Sequence, residues 1–555
     1  MEVTGAHIIA DVIEHTEQVD HVFFVDAVLR HTLLQLEDRG ITRILAHSEK
    51  AAAYMADGYA RASGKTGFCM AQAVGAANLA AGLQDAYLDR VPMLAMTGRK
   101  ADSHQHRNAY QEVSHRPLYQ AVTDFTAEVR DVNHLPRMLA NALRAAKTGT
   151  CRPVHLDLDG LKGDQVEEVT FTGDPADLMF PGSGQGQTIQ PAAADLQAAA
   201  DEIAAAKRPM IVAGVTALYT EAGAGLKALA EKMGIPVATS VGARSVIETS
   251  HPNHFGVVGT YSAPYANALL AQADLVIYVG CHMGDQISCD WTIPTPGTRI
   301  IQIDTDPLEL GRGYPNVLGL AGPLGDACIS IADKCPGRPA NGWLERCRTA
   351  ADDWLAASLQ NVYAPSDLIP APRLAHELGE ALPDNGIVVA DTGFSATWTA
   401  QYTAFDKPGQ TYLRAAGSLG WAFPAAIGAQ LGAKDRPVVC FTGDGALYYH
   451  IGELETMRRW NVPLVTVVNN NAALGQGLRS VKKLYENRPG NLGDLVEFEK
   501  VNFAELAGAF GIKGIRVEKA EDIQPAIKEA IALREPVIID VVTDPDSNPE
   551  PAWRL

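Results

Sequence analysis

Two short polar groups in the last third of the sequence have the residue types that bind a phosphate and a divalent metal ion. The tripeptide Gly443–Gly445 follows the apolar run VVCFT, and the tripeptide Asn469–Asn471 follows the next apolar run, LVTVV. Each run predicts a buried parallel strand. Because the carboxyl ends of neighbouring parallel strands meet at one edge of a sheet, we expect the two groups to lie together at that edge.

The chemistry expected at this edge is the binding of a diphosphate through Mg²⁺. Gly443 and Gly445 let the backbone approach an anion closely, and a helix that starts there offers free N–H groups to phosphate. Mg²⁺ prefers hard oxygen ligands, which Asp444 supplies as a carboxylate and Asn471 as a side-chain carbonyl. Either group alone would be an ordinary turn or loop, whereas the pair at the ends of one βαβ unit favours a binding site.

The elements that must position these residues form a repeating pattern of short β-branched runs and longer Ala- and Leu-rich helices. This alternation predicts the α/β fold class, with three domains that each contain a mostly parallel sheet flanked by helices. After Asp444 we expect one amphipathic helix with Leu447, Ile451 and Leu454 on one stripe. The predicted strands are Ile41–Ala46, Thr66–Ala71, Pro92–Thr97, Pro209–Ala213, Val237–Ser240, Leu275–Val279, Arg299–Ile303, Ile387–Ala390, Val438–Phe441, Leu464–Val468 and Val537–Val542.

The length of 555 residues exceeds what one hydrophobic core supports. Two stretches of poor periodicity, Val169–Pro191 and Ala364–Pro372, are rich in the residues typical of linkers. We therefore predict an N-terminal domain at 1–168, a central domain at 190–340 and a C-terminal domain at 365–545.

Composition excludes several classes of function. The formal charge of −19 argues against a nucleic-acid partner, which needs clustered Lys and Arg. No apolar stretch approaches the ~20 residues that span a bilayer, and no secretory signal is visible, so we expect a cytoplasmic protein without a membrane partner. The eight cysteines include no C-x-x-C pair, so neither a thiolate metal site nor a disulfide framework is expected.

The stretch from Pro437 to Gly477 resembles the diphosphate-binding fingerprint of thiamine-diphosphate enzymes in the acetolactate synthase, pyruvate oxidase and 2-hydroxyacyl-CoA lyase superfamily. The separation of Asp444 and Asn471 matches that branch without an insertion. The resemblance implies the cofactors thiamine diphosphate and Mg²⁺, with Asp444, Asn471 and the backbone carbonyl of Ala473 as metal ligands.

Further segments carry the same resemblance and imply contacts with the cofactor. AQAVGAANLAAGLQDA resembles the family's G-P-G-x-x-N-L segment, with Val74 where Pro is usual. AAGSLGWAFPAAIGA resembles the segment that props the cofactor into its bent conformation, with Leu419 as the bulky residue under the bend. The cofactor-binding residues implied in this way are Gly75, Asn78, Gly393, Phe394, Leu419, Gly443, Gly445, Ala446, Gly475 and Gln476.

Two residues of the N-terminal block are implied to be catalytic. HSEKAAAYMADGYARASGKTG resembles the family's H-E-x-x-A-x-x-x-A-x-G-Y-A-R pattern, which makes Glu49 the residue that shares a proton with the aminopyrimidine ring. NAYQEV resembles the A-F-Q-E segment, which places Gln111 near the reacting carbon. A catalytically silent cofactor-binding paralogue remains an alternative of another class, and its expected signature is loss of the carboxylate that Glu49 retains.

The resemblance covers essentially the whole chain, including IIQIDTDPLELG in the central block. In the family the active site is shared between subunits, so Glu49 of one chain would face the Asp444 site of another. A homodimer or homotetramer with shared active sites is therefore implied. Some relatives bind FAD or ADP in the central domain. No local motif shows whether this chain binds FAD, ADP or neither.

The implied function is a lyase or ligase of carbon–carbon bonds that decarboxylates a 2-oxo acid and passes the enamine to a proton or a carbonyl acceptor. An alternative is an enzyme that acts on an acyl-CoA, similar to 2-hydroxyacyl-CoA lyases or oxalyl-CoA decarboxylases. Acetolactate synthases carry a Lys where Val122 or Thr123 stands and a Trp where Ser480 stands. Both departures argue against acetolactate synthase proper and leave the small-molecule substrate, a 2-oxo acid or an acyl-CoA, open.

Several side chains near the expected substrate pocket have two interpretations. His104, His106 and His115 could move protons near neutral pH, or they could be ordinary surface residues. The segment Gln476–Asp494 should line or cover the substrate mouth, where Lys and Arg side chains could steer an anion. Its basic residues, Arg479, Lys482 and Lys483, could equally form a solvated face.

Overall fold

The structure is a computed structural model that describes residues 2–26, 29–160, 165–178, 189–315, 317–338 and 340–553. These residues form three six-stranded sheets that follow one another along the chain, with parallel pairing throughout. The α/β class with three helix-flanked parallel sheets is therefore confirmed. Residues 179–188 of the predicted linker Val169–Pro191 lie outside the described parts, and the exact domain boundaries stay predictions.

Each sheet mixes central strands, which are buried on both faces, with edge strands that carry more polar residues. The first sheet has the order β2-β1-β3-β4-β6-β5, the second β12-β11-β10-β7-β8-β9 and the third β14-β13-β15-β16-β18-β17. The strands are β1 His21–Val25, β2 Thr42–Leu45, β3 Gly67–Gln72, β4 Met93–Arg99, β5 Phe125–Val129, β6 Pro153–Asp159, β7 Pro209–Ala213, β8 Val237–Thr239, β9 His254–Val257, β10 Leu275–Val279, β11 Arg299–Asp304, β12 Val317–Ala321, β13 Ile387–Ala390, β14 Thr411–Arg414, β15 Val438–Gly443, β16 Val465–Asn470, β17 Lys513–Val517 and β18 Val537–Val542.

The helices connect the strands and cover the sheets. None of the described helices combines the length and the apolar composition needed to cross a bilayer. The α-helices are α1 Gly5–Asp11, α2 Arg30–Asp38, α3 Glu49–Ser63, α4 Gly75–Gly82, α5 Gln84–Leu88, α6 Arg116–Tyr119, α7 Leu135–Lys147, α8 Ala193–Ala205, α9 Val215–Tyr219, α10 Gly223–Met233, α11 Pro264–Leu270, α12 Asp285–Ser288, α13 Leu324–Lys334, α14 Trp343–Val362, α15 Ala371–Ala381, α16 Phe394–Tyr402, α17 Ala422–Ala433, α18 Asp444–Tyr448, α19 Glu453–Arg459, α20 Gly475–Tyr485, α21 Gly493–Val496, α22 Phe503–Ala509 and α23 Ile523–Leu533.

The first and third sheets are joined within the chain by the packing of α3 against α17. A Cβ atom on Gly58 of α3 would lie 1.9 Å from the carbonyl oxygen of Ala425, and one on Gly428 of α17 would lie 1.8 Å from that of Met55. The two helix backbones can approach this closely only because both positions are glycine. One hydrophobic cluster consequently extends from the N-terminal part of the chain into the C-terminal part.

The single amphipathic helix predicted after Asp444 is two helices, α18 and α19, separated by a turn at residues 449–452. Glu453, the first residue of α19, is 1% exposed, and its carboxylate accepts the N–H of His47 at 2.9 Å. This contact holds the start of α19 against the N-terminal part of the chain. The prediction of one helix was wrong because the spacing of apolar residues carries no information about a hydrogen bond to a residue as distant in sequence as His47.

Candidate functional site

The order of strands in the third sheet reverses between β13 and β15, which is where open parallel sheets bind ligands. The chain leaves β13 at Asp391 and leaves β15 at Asp444. Gly443, the last residue of β15, pairs with Asn469 of β16, so the asparagines follow at the same edge. The two polar groups identified in the sequence therefore lie side by side at the carboxyl edge of this sheet.

Asp444 is the first residue of α18, and its side chain is almost completely buried. Its Oδ1 atom accepts the N–H of Gly445 at 2.7 Å, whereas Oδ2 is buried without a hydrogen-bond partner among the described residues. Burial raises the pKa of Asp444 to about 6, although nearby backbone N–H groups act in the opposite direction. A buried carboxylate oxygen without a donor suits the binding of a cation.

Asn471 and Ala473 belong to a short, tightly turned segment that follows β16. Ala472 between them has a φ of +55°, and the side-chain oxygen of Asn471 accepts the N–H of Ala473 at 3.1 Å. The segment is held in place because Ala472 accepts the N–H of Phe498 at 2.8 Å. This turn keeps the amide oxygen of Asn471 and the backbone of Ala473 next to each other.

The residues after β13 meet the start of α20. Gly393 has a φ of +64°, and a Cβ atom there would lie 3.0 Å from Oε1 of Gln476. A Cβ atom on Gly475 would lie 3.1 Å from Nδ2 of Asn471 and 3.4 Å from the ring of Phe394. The structure thus brings these four predicted cofactor-binding residues together, beside the predicted metal ligand Asn471.

The loop that carries Leu419 lies against α18, which begins at Asp444. Leu419 is half-buried, and a Cβ atom on its neighbour Gly420 would lie 3.0 Å from the carbonyl oxygen of Ala446. Asp391 accepts the N–H of Gly420 at 3.1 Å, and Asp85 accepts the N–H of residue 418 at 3.0 Å. Neither aspartate was predicted from the sequence to be a site residue.

Glu49 forms a second cluster with Gly75 and Asn78. It is the first residue of α3, whose start is capped by the Ser48 hydroxyl, which accepts the N–H of Ala51 at 3.1 Å. Its Oε2 atom accepts a hydrogen bond from Nδ2 of Asn78 at 3.2 Å, and a Cβ atom on Gly75 would lie 2.5 Å from its Oε1 atom. Three residues from two separate motifs therefore meet at one point. Within the described parts of the chain, no hydrogen bond joins this cluster to Asp444.

Gln111 lies outside both clusters, in the loop between β4 and α6. It has a φ of +60°, and its side-chain amide donates to the hydroxyl of Tyr110 at 3.3 Å. Tyr110 is 72% exposed, so this contact faces solvent in the single chain. The structure does not record a contact of Gln111 with Glu49 among the described residues.

The three histidines of the same region have different environments. His104 and His106 are exposed. His115 is buried, and its Nδ1 atom lies 2.9 Å from Oδ1 of Asp157. The surface interpretation therefore fits the first two histidines but not His115.

The basic residues of α20 contact the end of the chain instead of pointing freely into solvent. Arg479 donates to the carbonyl oxygen of Pro549 at 3.0 Å, and Lys482 pairs with Asp546. Lys483 is exposed. Two of the three cations are thus engaged in fixing the C-terminal segment next to α20.

The central sheet contacts the N-terminal part of the chain through buried charges. Arg90 pairs with Glu309 at 2.8 Å and lies 3.5 Å from Asp304, which ends β11. The hydroxyl of Tyr219 donates to Asp89 at 2.9 Å. The binding of FAD or ADP to this sheet stays an undecided prediction.

Comparison with known families places this geometry in context. Residues 3–118 match the model described as "Thiamine pyrophosphate enzyme, N-terminal TPP binding domain". Residues 196–331 match the central domain of the same enzymes, and residues 391–541 match their C-terminal TPP binding domain. The three matches follow the three sheets in order.

Curated relatives are similar over nearly the whole chain. The probable acetolactate synthase large subunit of Methanococcus aeolicus is 31% identical over 535 residues, which cover 92% of this chain and 87% of the relative. The acetolactate synthase large subunit of Corynebacterium glutamicum is 31% identical over 519 residues, with coverages of 91% and 81%. Isozyme 2 of the Escherichia coli enzyme is 28% identical over 531 residues, with coverages of 94% and 91%. The family predicted from the motifs is confirmed, and the chain belongs to the thiamine pyrophosphate enzymes as a thiamine-diphosphate-dependent, acetolactate-synthase-like member.

Proposed function

We propose that the protein is a Mg²⁺-dependent lyase or ligase that decarboxylates a 2-oxo acid and passes the remaining acyl fragment to a proton or a carbonyl acceptor. The observation that carries this proposal is the buried Oδ2 atom of Asp444, which has no hydrogen-bond partner in the described parts of the chain and lies next to the Asn471 turn. A carboxylate, an amide oxygen and the backbone carbonyl of Ala473 form a hard-oxygen donor set that fits Mg²⁺. Phosphate oxygens and water would complete the coordination.

The glycines at the edge of the third sheet fit the diphosphate of the cofactor. Gly443 and Gly445 flank Asp444, and Gly393 and Gly475 keep side-chain atoms away from the same edge. We assign diphosphate contacts to these four glycines, Ala446, Phe394 and Gln476 on this ground. The backbone there can approach an anion without a Cβ atom in the way.

Thiamine diphosphate, when bound, supplies a thiazolium carbon that attacks a carbonyl and stores the electron pair released by decarboxylation. In this proposal Glu49 holds a proton at its carboxyl group for the aminopyrimidine nitrogen. Asn78 and Gly75 support that role, because the first donates to Oε2 and the second leaves room for Oε1. Leu419 supports the bent shape of the cofactor from below.

Glu49 also supports an active enzyme over a catalytically silent paralogue, because the carboxylate and its two neighbours are in place. A pseudoenzyme would be expected to lose this residue first. We therefore assign Glu49 a catalytic role and keep Gln111 as the candidate residue near the reacting carbon.

The partner proposed for the protein is a second copy of the same chain. The Glu49 cluster and the Asp444 cluster are not joined by a hydrogen bond within the described residues of one chain. This separation of the two clusters agrees with a homodimer or homotetramer, in which each site combines Glu49 of one chain with Asp444 of another. The substrate is proposed to be a small molecule, with neither a nucleic acid nor a membrane as partner.

The acceptor is proposed to differ from that of acetolactate synthases. Val122 or Thr123 stands in the place of the expected Lys, and neither carries a charge; Thr123 is buried, and its hydroxyl donates to the carbonyl oxygen of Tyr119 at 2.7 Å. Ser480, in the place of the expected Trp, is exposed. The acyl-CoA alternative receives no support from the relatives described above, which are all acetolactate synthases.

A cytoplasmic location is proposed from the cysteines. All eight are free thiols, and seven of them are buried. Free cysteines of this kind are usual in a reducing compartment.

Thermal unfolding with ligands tests the proposed function. Thiamine diphosphate with Mg²⁺ should raise the midpoint, because a ligand at 100 times its Kd stabilises the folded state by about 2.7 kcal/mol. A chelator should remove the rise, and Asp444→Ala should abolish it. A 2-oxo acid should raise the midpoint further in the presence of the cofactor.

Two outcomes would contradict the proposal. An equal rise with cofactor in the presence of the chelator would show that the metal site is misassigned. A rise with CoA or an acyl-CoA, but with none of the 2-oxo acids, would favour the acyl-CoA alternative.

A further inference from the structure

The loop that carries Leu419 is held by two buried carboxylates from different parts of the chain. Asp85, from α5, accepts the N–H groups of residues 416, 417 and 418 at 2.7, 3.3 and 3.0 Å. Asp391, after β13, accepts the N–H groups of Gly420 and Ala422, each at 3.1 Å. Both aspartates are 0% exposed. Five backbone N–H groups around Leu419 therefore depend on two side chains.

Packing defines the two ends of the loop better than its middle, since Ala415 is 0% exposed and Gly420 lies against Ala446. Gly417 is exposed, and a Cβ atom on it would meet nothing within 4 Å. Leu419 itself is only half-buried. Hydrogen bonds to Asp85 therefore contribute most to the position of residues 416–418, where packing contributes less.

Asp85 is itself fixed by a buried charge cluster. Arg61 lies 3.3 Å from Asp85, forms two hydrogen bonds to Asp57, and bonds to Asp89 at 2.5 Å. The same guanidinium donates to the carbonyl oxygen of Arg414 at 2.9 Å. One buried cation thus faces three carboxylates, and the loop N–H groups supply the donors that Asp85 would otherwise lack.

We propose that Asp85 is a positioning residue that holds the Leu419 loop against the N-terminal domain and so sets the shape of the bound coenzyme. This inference rests on the proposed function, in which Leu419 lies under the bend of thiamine diphosphate. Asp85 acts through the loop and does not touch the cofactor. The diphosphate end, which is bound at Asp444, is independent of it.

The test compares C2 proton exchange of bound thiamine diphosphate with the affinity for the cofactor. In Asp85→Asn the side chain loses an acceptor oxygen and presents an N–H₂ group to the loop donors. We expect C2 exchange in the holoenzyme to slow by about 10-fold or more, while the Kd for the cofactor with Mg²⁺ changes by less than about 3-fold, since misplacement alone can cost a large factor in rate. If Asp85 had a purely structural role, the substitution would lower stability but would not slow C2 exchange at a nearly unchanged Kd.

Asp89→Asn is the matched control. Asp89 belongs to the same Arg61 cluster and is buried, but its recorded partners are Arg61 and Tyr219 and not the loop. Its loss should lower the midpoint of unfolding and leave C2 exchange of the folded holoenzyme within about 2-fold of the wild type. If Asp85→Asn does not fold, Asp85→Glu keeps the charge, displaces the carboxylate, and should show the same split.

A double-mutant cycle with Leu419→Ala tests whether the effect passes through Leu419. Asp85→Asn should slow exchange much less in the Leu419→Ala background, because residues that act as a unit are not additive. Equal exchange in Asp85→Asn and the wild type, or full additivity with Leu419→Ala, would overturn the inference. Failure of the wild type itself to bind thiamine diphosphate would instead overturn the proposed function.

Discussion

The buried carboxylates around the candidate site differ in their hydrogen bonds, and we assign them different roles on that ground. Asp391 and Asp85 are saturated by backbone N–H groups, and they fix a loop. Asp444 is equally buried but leaves Oδ2 without a donor among the described residues. Since an unpaired buried charge is costly, the vacant oxygen favours a cation as its natural partner.

Gly75 gives a residue-scale prediction about Glu49. In Gly75→Ala the new Cβ would lie 2.5 Å from Oε1 of Glu49 and 3.1 Å from its Cδ, so the whole carboxylate must turn away. Ala is favourable in a helix by up to about 1 kcal/mol relative to Gly, so stability should not fall greatly. We expect C2 proton exchange of bound thiamine diphosphate to slow by at least about 10-fold.

Gly508→Ala is the control, because Gly508 also lies in a helix and a Cβ atom there meets nothing within 4 Å. It should leave exchange unchanged. Wild-type exchange in Gly75→Ala would mean that the orientation of Glu49 seen here is not the one used in catalysis.

The candidate site was predictable from sequence only where a residue has a local signature. Glu49, Gly75 and Asn78 were chosen from two motifs, and the structure brings them together. Asp85 and Asp391 were not found, because a carboxylate that accepts distant N–H groups leaves no characteristic spacing. Val74, which departs from the usual Pro, is 46% exposed and so is only partly constrained by packing within one chain.

At the scale of elements, the predicted strands were those with continuous apolar runs. Strands such as β7, β10 and β18 begin and end at the predicted residues. Five of the seven strands that were missed lie at sheet edges, where one side lacks a partner strand and polar residues are tolerated: β5, β9, β12, β14 and β17. The other two are β1 and β6, and β6 is buried despite its sequence PVHLDLD. Its polar residues bond to neighbouring elements, as Asp157 does by accepting the hydroxyl of Thr97 in β4 at 2.7 Å, which periodicity alone does not reveal.

Asp391, which accepts N–H groups of the loop between β14 and α17, gives a prediction about pH. Burial raises the pKa of Asp391 from 3.8 to about 6. The folded state therefore binds this proton more tightly than the unfolded state. The resulting stabilisation is complete below pH 4 and is lost as the pH rises through about 6, by at most about 1.4 kcal/mol per pH unit.

Asp391→Asn removes this titration and weakens the loop contacts. Compared with the wild type, the variant should therefore be destabilised more at pH 4.5 than at pH 7.5, to the extent of about 1 to 3 kcal/mol. Denaturant unfolding of both proteins at the two pH values measures the difference. The raised pKa of Asp391 would be contradicted if the difference in free energy of unfolding between the two proteins were the same at both pH values, or larger at pH 7.5.

At the scale of the whole molecule, the first and third sheets share one strand order and pack through α3 and α17. The family and its three-domain fold were evident from motifs that extend along the chain. The pairing of domains across subunits is implied only by the family resemblance, because the residues themselves do not show which copy of a domain completes a site. The hydrogen bond from the N–H of His47 to Glu453 also ties the start of α3 to α19 within the same chain.

The central claim is that one coenzyme contacts Glu49 of one chain and Asp444 of another. The most direct measurement is C2 proton exchange in a mixed dimer, purified by two different tags, of Glu49→Gln and Asp444→Ala chains. Each variant alone should be inactive, whereas the mixed dimer should recover about half of the wild-type rate, because one of its two sites is intact. A mixed dimer as inactive as its parents would place both residues in a site within one chain and contradict the account.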